Sequence, residues 1–338
     1  MGRVINFEDI LRSVDQVRIE VPSSSANVGL GYDIWCLGLS QPKLTVTYTR
    51  SRETGIEVEV KSPVKSNRSL GHAGKIALEH MLQELKLEGG GHLLFEDDGY
   101  EVGGLGRSGA EAAGAILAAA IVYGHRMSRD EAVISASRGE PGEHKDNVAG
   151  SINGRFNIIS RSPASQTTSV DTYDAPENLG LAVGYSSFEK KHGTEQMRQV
   201  LQEPLAKDDF IIQSGLVSAT TAALVSRNVD RFLELVWGDR FHEPRRAGLG
   251  GYGGFSADEF QELKESLFNK FHVATNVSGA GPSMLFLYNK EDYRDGIEEA
   301  ISPTVNSWFE SRGIKIGVKA TKIAIEGGYD YAIHNYKF

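Results

Sequence analysis

Gly103-Gly104-Leu105-Gly106-Arg107-Ser108-Gly109-Ala110 runs straight into a stretch of small residues whose spacing predicts a helix over 108–123. Glycines let a backbone come close to a ligand. The first N–H groups of a helix have no intrahelical partner and point outward at the positive end of the helix dipole. The segment is therefore a candidate phosphate loop, built from Gly104, Leu105, Gly106, Arg107, Ser108 and Gly109. Ser108 is expected at the N-cap, where its hydroxyl can cap the helix or touch a metal ion. The pattern GxxxxGK[ST] is absent, so a plain Gly-rich turn remains a reading of this segment taken alone. Arg107 can meet a phosphate, serve the structure or solvent, or obstruct the site. Glu111, on the first turn, suits the helix dipole but repels a triphosphate if it faces one.

Two further glycine-bearing segments lie on either side. Val21-Pro22-Ser23-Ser24-Ser25-Ala26-Asn27-Val28-Gly29-Leu30-Gly31-Tyr32-Asp33 precedes the loop, and Ser278-Gly279-Ala280-Gly281-Pro282-Ser283 follows it. His144-Lys145-Asp146-Asn147 stands between the second and third. Three such segments, each beside an expected strand or helix, imply one composite site. Asn27 and Asp33 flank a Gly-Leu-Gly turn. Asp33 can bond a substrate hydroxyl and Asn27 an amine or carboxylate, while an Asx turn is the structural reading of the same pair.

The surroundings limit the function classes. The chain has 338 residues, 40% of them hydrophobic, enough for one large domain or two joined ones. A formal net charge of -9 disfavours general binding to nucleic acid or anionic membranes. Cys36 is the lone cysteine, which excludes an internal disulfide and fits a reducing cytosol. The first residues carry Arg3, Glu8 and Asp9 and do not read as a signal peptide. The apolar run 112–123 is too short to span a bilayer. A cytoplasmic location is expected.

Periodicity predicts strands over 16–21, 43–48, 55–61, 93–95, 155–160, 181–185, 272–276 and 284–288, with closing strands in 315–325. Helices are expected over 71–87, 108–123, 129–138, 195–202, 210–226, 231–237, 257–270 and 293–312. Residues 161–177 read as a polar stretch. Strands and helices mix without a βαβ rhythm, which predicts an α+β fold. The division is expected at 155/156, giving lobes 1–155 and 156–338.

The order of these segments resembles the GHMP kinases, small-molecule kinases, and within them the homoserine kinase branch. Residues 22–33 are similar to the first family motif, Pro-x-x-x-Ala-Asn-x-Gly-x-Gly-Phe-Asp, with Tyr32 in place of Phe. Residues 104–108 resemble the second, Gly-Leu-Gly-Ser-Ser-Ala, with Arg107 replacing the first serine. Residues 279–283 match Gly-x-Gly-Pro-Ser. His144-Lys145-Asp146-Asn147-Val148-Ala149 resembles the branch's His-x-Asp-Asn-Val-Ala. Thr194 with Arg198, and Glu243-Pro244-Arg245-Arg246, resemble its Thr-x-x-x-Arg and Glu-Pro-x-Arg.

The resemblance implies a two-lobed fold, a ribosomal protein S5 domain 2-like N-terminal lobe plus a ferredoxin-like C-terminal lobe. It implies phosphoryl transfer from ATP, with Mg²⁺, to L-homoserine. Asn27, Asp33, His144, Asn147, Arg198 and Arg246 would bind the acceptor, the two arginines holding its carboxylate. Asp33, Asp146 and Asn147 are the catalytic candidates, with Asp33 or Asp146 as proton acceptor. Gly279, Gly281 and Ser283 would support the phosphate loop. Glu140, with Ser108, would hold the metal, and Glu143 competes because Glu140 stands nearer His144 than the family spacing. A homodimer is a further implication. A kinase for another hydroxy acid, a donor other than ATP, and a non-catalytic homoserine-binding descendant are the alternatives.

Overall fold

A computed structural model describes residues 14–63, 70–99, 103–186 and 194–336. The fold is α+β, as expected, with two sheets. The first is organised by one long strand, β2 (Trp35–Ser51). β1 (Gln16–Ala26) pairs antiparallel along nearly all of it, with a register shift between Pro22 and Ser23. On the other edge β2 pairs first with β5 (Phe156–Arg161) and then with β4 (Gly90–Asp97). β3 (Gly55–Lys61) adds parallel to β4, and β6 (Thr168–Tyr173) adds antiparallel to β5. The strand expected over 43–48 is thus the outer half of a much longer one. Its inner half lies in the Cys36-containing apolar run.

Helix α2 (Arg107–Val122) lies on this sheet and is buried from Gly109 to its end. Its alanines and Gly114 permit that approach: a Cβ at Gly114 would lie 2.4 Å from Val46. Around it stand α1 (His72–Glu84), α3 (Arg129–Ser137) and α4 (Asp146–Asn153). Val17, Ile19, Val46, Phe95, Ile116 and Leu117 belong to this core, each such aliphatic contributing about 1.5–3 kcal/mol on full burial.

The second sheet has the order β10-β7-β9-β8, all antiparallel: β7 (Leu179–Ser186), β8 (Ala274–Val277), β9 (Met284–Asn289) and β10 (Ile316–Thr321). Helices α9 (Ala257–Phe271) and α10 (Ile297–Glu310) cover it through Phe255, Phe260, Phe286 and Phe309. The remaining helices are α5 (Thr194–Gln199), α6 (Lys207–Val225), α7 (Val229–Val236), α8 (His242–Gly248) and α11 (Gly328–Tyr336).

Five elements depart from the sequence reading. β6 lies inside the polar stretch because it is an edge strand with no residue fully buried. α4, α8 and α11 are short; α4 is buried almost all round, and α8 and α11 bury few residues, so none gives a periodic signal. The helix expected from 293 begins at Ile297, after a 3-10 turn. The expected lobe boundary at 155/156 falls within the first sheet, since β5 and β6 lie beyond it, β5 pairing with β2 and β6 with β5. α11 also returns to pack on β1 and α2.

Candidate active site

The glycine loop leads into α2 as expected, but the helix begins one residue earlier. Gly106, at φ +63, occupies the N-cap, and Ser108 lies in the first turn instead of capping it. Only glycine suits position 106, because a Cβ would meet the Ser24 Oγ at 1.9 Å and the Asn147 Oδ1 at 2.8 Å. Those two neighbours are bonded to each other, the Ser24 hydroxyl donating to Asn147 Oδ1 at 3.0 Å. Ser24 N–H donates to the Leu105 carbonyl, 3.2 Å away. Asn147, on the first turn of α4, also lies against Gly109. Parts of the first two glycine segments and of the His-Lys-Asp-Asn segment thus meet at this loop.

The third loop braces the second. The Ser278 hydroxyl donates to the Gly104 carbonyl at 2.5 Å, and Ser283 donates to the Gly103 carbonyl through its hydroxyl at 2.8 Å. Gly279 and Gly281 hold positive φ, 61° and 68°, in the turn that makes this approach possible. The Gly279 carbonyl faces the other way and accepts from Asn27 Nδ2 at 3.0 Å and from Arg246 Nη1 at 3.1 Å.

Arg107 turns away from the loop opening. Its Nη1 lies 2.5 Å from Asp97 Oδ2, at the end of β4, and its Nε donates to Glu111 Oε1 at 3.2 Å. Of the three readings of Arg107, the geometry is that of the structural one. Glu111 is likewise turned into the protein, and burial pushes its carboxyl above the usual range.

Glu140 follows α3. Burial raises its carboxyl to about 7, against a hydrogen bond from Ser108 that favours the charge. Its Oε1 is buried without a hydrogen-bond partner. A buried, half-satisfied carboxylate beside a hydroxyl at a helix start fits a hard cation. Glu143 points instead to the surface, paired with Arg138 at 2.5 Å. Among the described residues no three His, Cys, Asp or Glu side chains form a metal cluster. A cation held here would complete its shell with water and phosphate oxygens.

The acceptor side gathers around Tyr32 and Asp33. Asn27 is buried, with Oδ1 accepting the Asp33 N–H at 3.1 Å, so it shapes the turn that presents Asp33. Arg198 grips Asp33 with two bonds, Nη1 to Oδ2 at 3.1 Å and Nη2 to Oδ1 at 3.0 Å, and also donates to Tyr32 Oη at 2.9 Å. Arg246 is only 2% exposed. Its Nε donates to the Met197 carbonyl at 3.1 Å, immediately before Arg198. The two guanidinium groups lie 5.6 and 5.2 Å from the centre of the Tyr32 ring. Arg245 lies elsewhere, on the carbonyls of Glu203 and Pro204.

His144 Nδ1 stands 3.8 Å from Asp33 Oδ1. Burial and the neighbouring Arg198 charge push this imidazole down to about 4, so it is neutral at pH 7. Its Nε2 is buried with no partner. Asp146 is enclosed, raised to about 6 by burial and by the Asp33 charge, and accepts the Asn147 N–H at 2.8 Å.

Sequence reasoning missed Tyr32 as the platform for both arginines, and it missed the supports behind Arg246. Glu243 is one of those supports, buried in α8, bonding Lys264 Nζ at 2.6 Å and the Val277 N–H at 2.6 Å. A signal for it existed in the Glu-Pro-x-Arg match, which begins with this glutamate.

No protein-family model matches the chain. A homoserine kinase of Methanococcus maripaludis is 28% identical over 291 residues, 83% of this chain and 90% of its own length. A homoserine kinase of Staphylococcus aureus is 28% identical over 314 residues, 90% and 97% of the two chains. Among solved structures, homoserine kinase from Cytophaga hutchinsonii superposes with a TM-score of 0.76 at 21% identity, covering 93% of this chain and 97% of its own. L. major mevalonate kinase, in complex with R-mevalonate, gives 0.65 at 14% identity, covering 92% and 98%. A further neighbour, at 0.62 and 16% identity over 90% and 98%, is a complex with AMPPCP and magnesium.

The two-sheet fold, with a glycine loop at a helix start, is shared with solved homoserine and mevalonate kinases, enzymes of the GHMP type. In sequence the chain is similar to homoserine kinases.

Proposed function

We propose that the protein is a homoserine kinase. It transfers the γ-phosphoryl group of ATP to the side-chain hydroxyl of L-homoserine, giving O-phospho-L-homoserine and ADP, a step of threonine biosynthesis. One observation carries the reading: His144 stands beside Asp33 and its Arg198 partner, while Asn147, three residues further on, lies against Gly106 and Gly109 of the glycine loop.

On this reading the loop at residues 104–109 holds donor phosphates with backbone N–H groups. Mg²⁺, held by Glu140 and Ser108, would neutralise phosphate charge. Arg198 and Asp33 satisfy each other in the free protein. A zwitterionic amino acid can replace both partners at once, its carboxylate taking Arg198 and a polar hydrogen going to Asp33. His144, neutral, offers hydrogen bonds without adding charge. Arg246 and Asn27 act largely by holding the Gly279 carbonyl and the α5 backbone in place. Asn147 stands where acceptor and donor meet. Phosphoryl transfer depends mostly on such positioning and asks little of a strong base, so the hydroxyl proton can leave to Asp33, Asp146 or water.

The first lobe would then carry the donor loop and Asp33, and the second Arg198, Arg246 and the bracing loop. Among the described residues no helix is long and apolar enough to cross a membrane, which accords with a cytoplasmic enzyme. A homodimer is the proposed assembly.

The test is phosphoryl transfer with Mg²⁺, L-homoserine and each of ATP, GTP, ADP and pyrophosphate, the product being detected by mass. O-phosphohomoserine with ATP is expected. Arg198→Ala should raise the homoserine KM at least about tenfold, the loss of roughly 1.4 kcal/mol or more of carboxylate recognition, and Arg246→Ala should raise it in the same direction by releasing the backbone that carries Arg198, with the ATP KM nearly unchanged in both. No product from any donor, with homoserine still bound, would sink the reading.

A further inference from the structure

We propose that Arg107 is a positioning residue of the donor site. It clamps the connection between β4 and α2 and screens Glu111, so that the start of α2 stays receptive to a polyphosphate that Arg107 itself does not touch. The proposal rests on the kinase reading given above.

The geometry is that of a clamp. Asp97 is the last residue of β4 and Arg107 the first of α2, so their ion pair ties the end of the strand to the start of the helix. The other Asp97 oxygen, Oδ1, accepts the Gly99 N–H at 3.2 Å, fixing the start of the same segment. A planar guanidinium can serve two carboxylates on different edges, which an ammonium does less well. Here one edge serves Asp97 and another Glu111.

The charges give the clamp its second role. The Asp97 and Glu111 side chains are 0% and 4% exposed, and both lie beside the helix start. Glu111 also accepts the N–H of Gly71, the residue capping α1, so its carboxylate has a fixed place. Without Arg107 two buried carboxylates would lie beside the start of α2 with no cation between them. Their field is strong there because little water screens it. The arginine that replaces the family's first loop serine is thus matched by two acids in this chain, and the three residues function as a set.

Direct titration of the full-length protein with Mg-ATP tests this without requiring turnover, and the homoserine KM provides the control. Arg107→Ser should weaken Mg-ATP binding by about tenfold or more and move the homoserine KM less than about twofold. Arg107→Lys should fall between. Adding Glu111→Gln to Arg107→Ser should recover at least half of the loss on a logarithmic scale. If Arg107→Ser does not fold, the neutral set Asp97→Asn, Arg107→Ser, Glu111→Gln carries the test, with affinity within about threefold of the parent expected. A double variant no better than Arg107→Ser, or a neutral set more than about tenfold weaker than the parent, would show direct phosphate contact and overturn the proposal. So would an Arg107→Ser protein that binds Mg-ATP as the parent does. A parent protein that fails to bind Mg-ATP would overturn the kinase reading, and the clamp's role with it; homoserine phosphorylation in the parent separates that failure from the others.

Discussion

Asp146 carries a carboxyl the protein would rather keep protonated. Enclosed at the start of α4 and facing Asp33, it is raised from 3.8 to about 6. A raised carboxyl binds its proton more tightly in the folded chain than in the unfolded one. Its contribution to stability is therefore fully present below about 3.8 and is lost as the pH rises to about 6. Asp146→Asn should remove that loss, so the variant's Tm is expected to exceed the parent's at pH 7.5, with the gap shrinking by pH 4. A constant gap in calorimetry across this range would refute the assignment. The same variant keeps an oxygen that can accept the Asn147 N–H, so Asn147 should hold its place. At this scale the motifs named most of the residues that meet in the site. What they did not reveal was division of labour. Asn27 and Arg246 are committed to backbone partners, and Arg107 is committed to acids four and ten positions away along the chain. Such commitments depend on tertiary geometry, and a local motif carries none of it.

The arginine that Glu-Pro-x-Arg points to is held by an element that periodicity did not disclose. α8 has seven residues, too few for an amphipathic repeat, and its place is set by a buried ion pair, not by an apolar stripe. Glu243 and Lys264 are 1% and 2% exposed and join α8 to α9, while Glu243 also reaches the β8 backbone at Val277. Removing one member of such a pair leaves an uncompensated charge in the interior. Lys264→Met is expected to destabilise the protein by about 3–5 kcal/mol, read by urea unfolding. It should raise the homoserine KM, since Arg246 moves with α8, and leave Mg-ATP affinity unchanged. A loss below about 1 kcal/mol would mean that Glu243 is satisfied without the lysine. The long regular elements were legible for the opposite reason. α2, α9 and β7 bury whole faces, so hydrophobic spacing records them. β6 buries almost nothing, and its polar sequence reads as loop.

At the scale of the molecule, α6 presents an unusual outer face among the described residues. Phe210, Ile211, Ile212 and Val225 are exposed, while the inner face binds through Gln213 to the Leu30 carbonyl and Asp239. An antiparallel pairing of α6 with its copy about Ser218 would set Ile211 against Val225, Ser214 against Ala222, and Asp209 against Arg227. The proposed homodimer is expected to use this face. Ile211→Asp should convert a dimer to a monomer in light scattering at micromolar concentration, with the circular dichroism spectrum unchanged. A monomeric parent protein would remove the dimer from the proposal. The class of fold and its two-lobed character were legible from the order of the motifs, but the boundary was not, because the first sheet takes strands from beyond residue 155.

The return of α11 to the first sheet has a consequence for how the protein is made. Tyr329 Oη donates to the Met127 carbonyl, Asp330 pairs with Arg129 at 2.5 Å, and Tyr336 Oη meets the Arg18 backbone. Residues near 330 therefore complete a layer begun before residue 20. During translation the donor half emerges first yet lacks this covering until some three hundred residues later. A nascent chain arrested after β9 would keep the outer side of β1 and α2 open to water, where chaperones can bind. Its synthesis should be most sensitive to chaperone depletion over that interval, and release should coincide with emergence of the final helix.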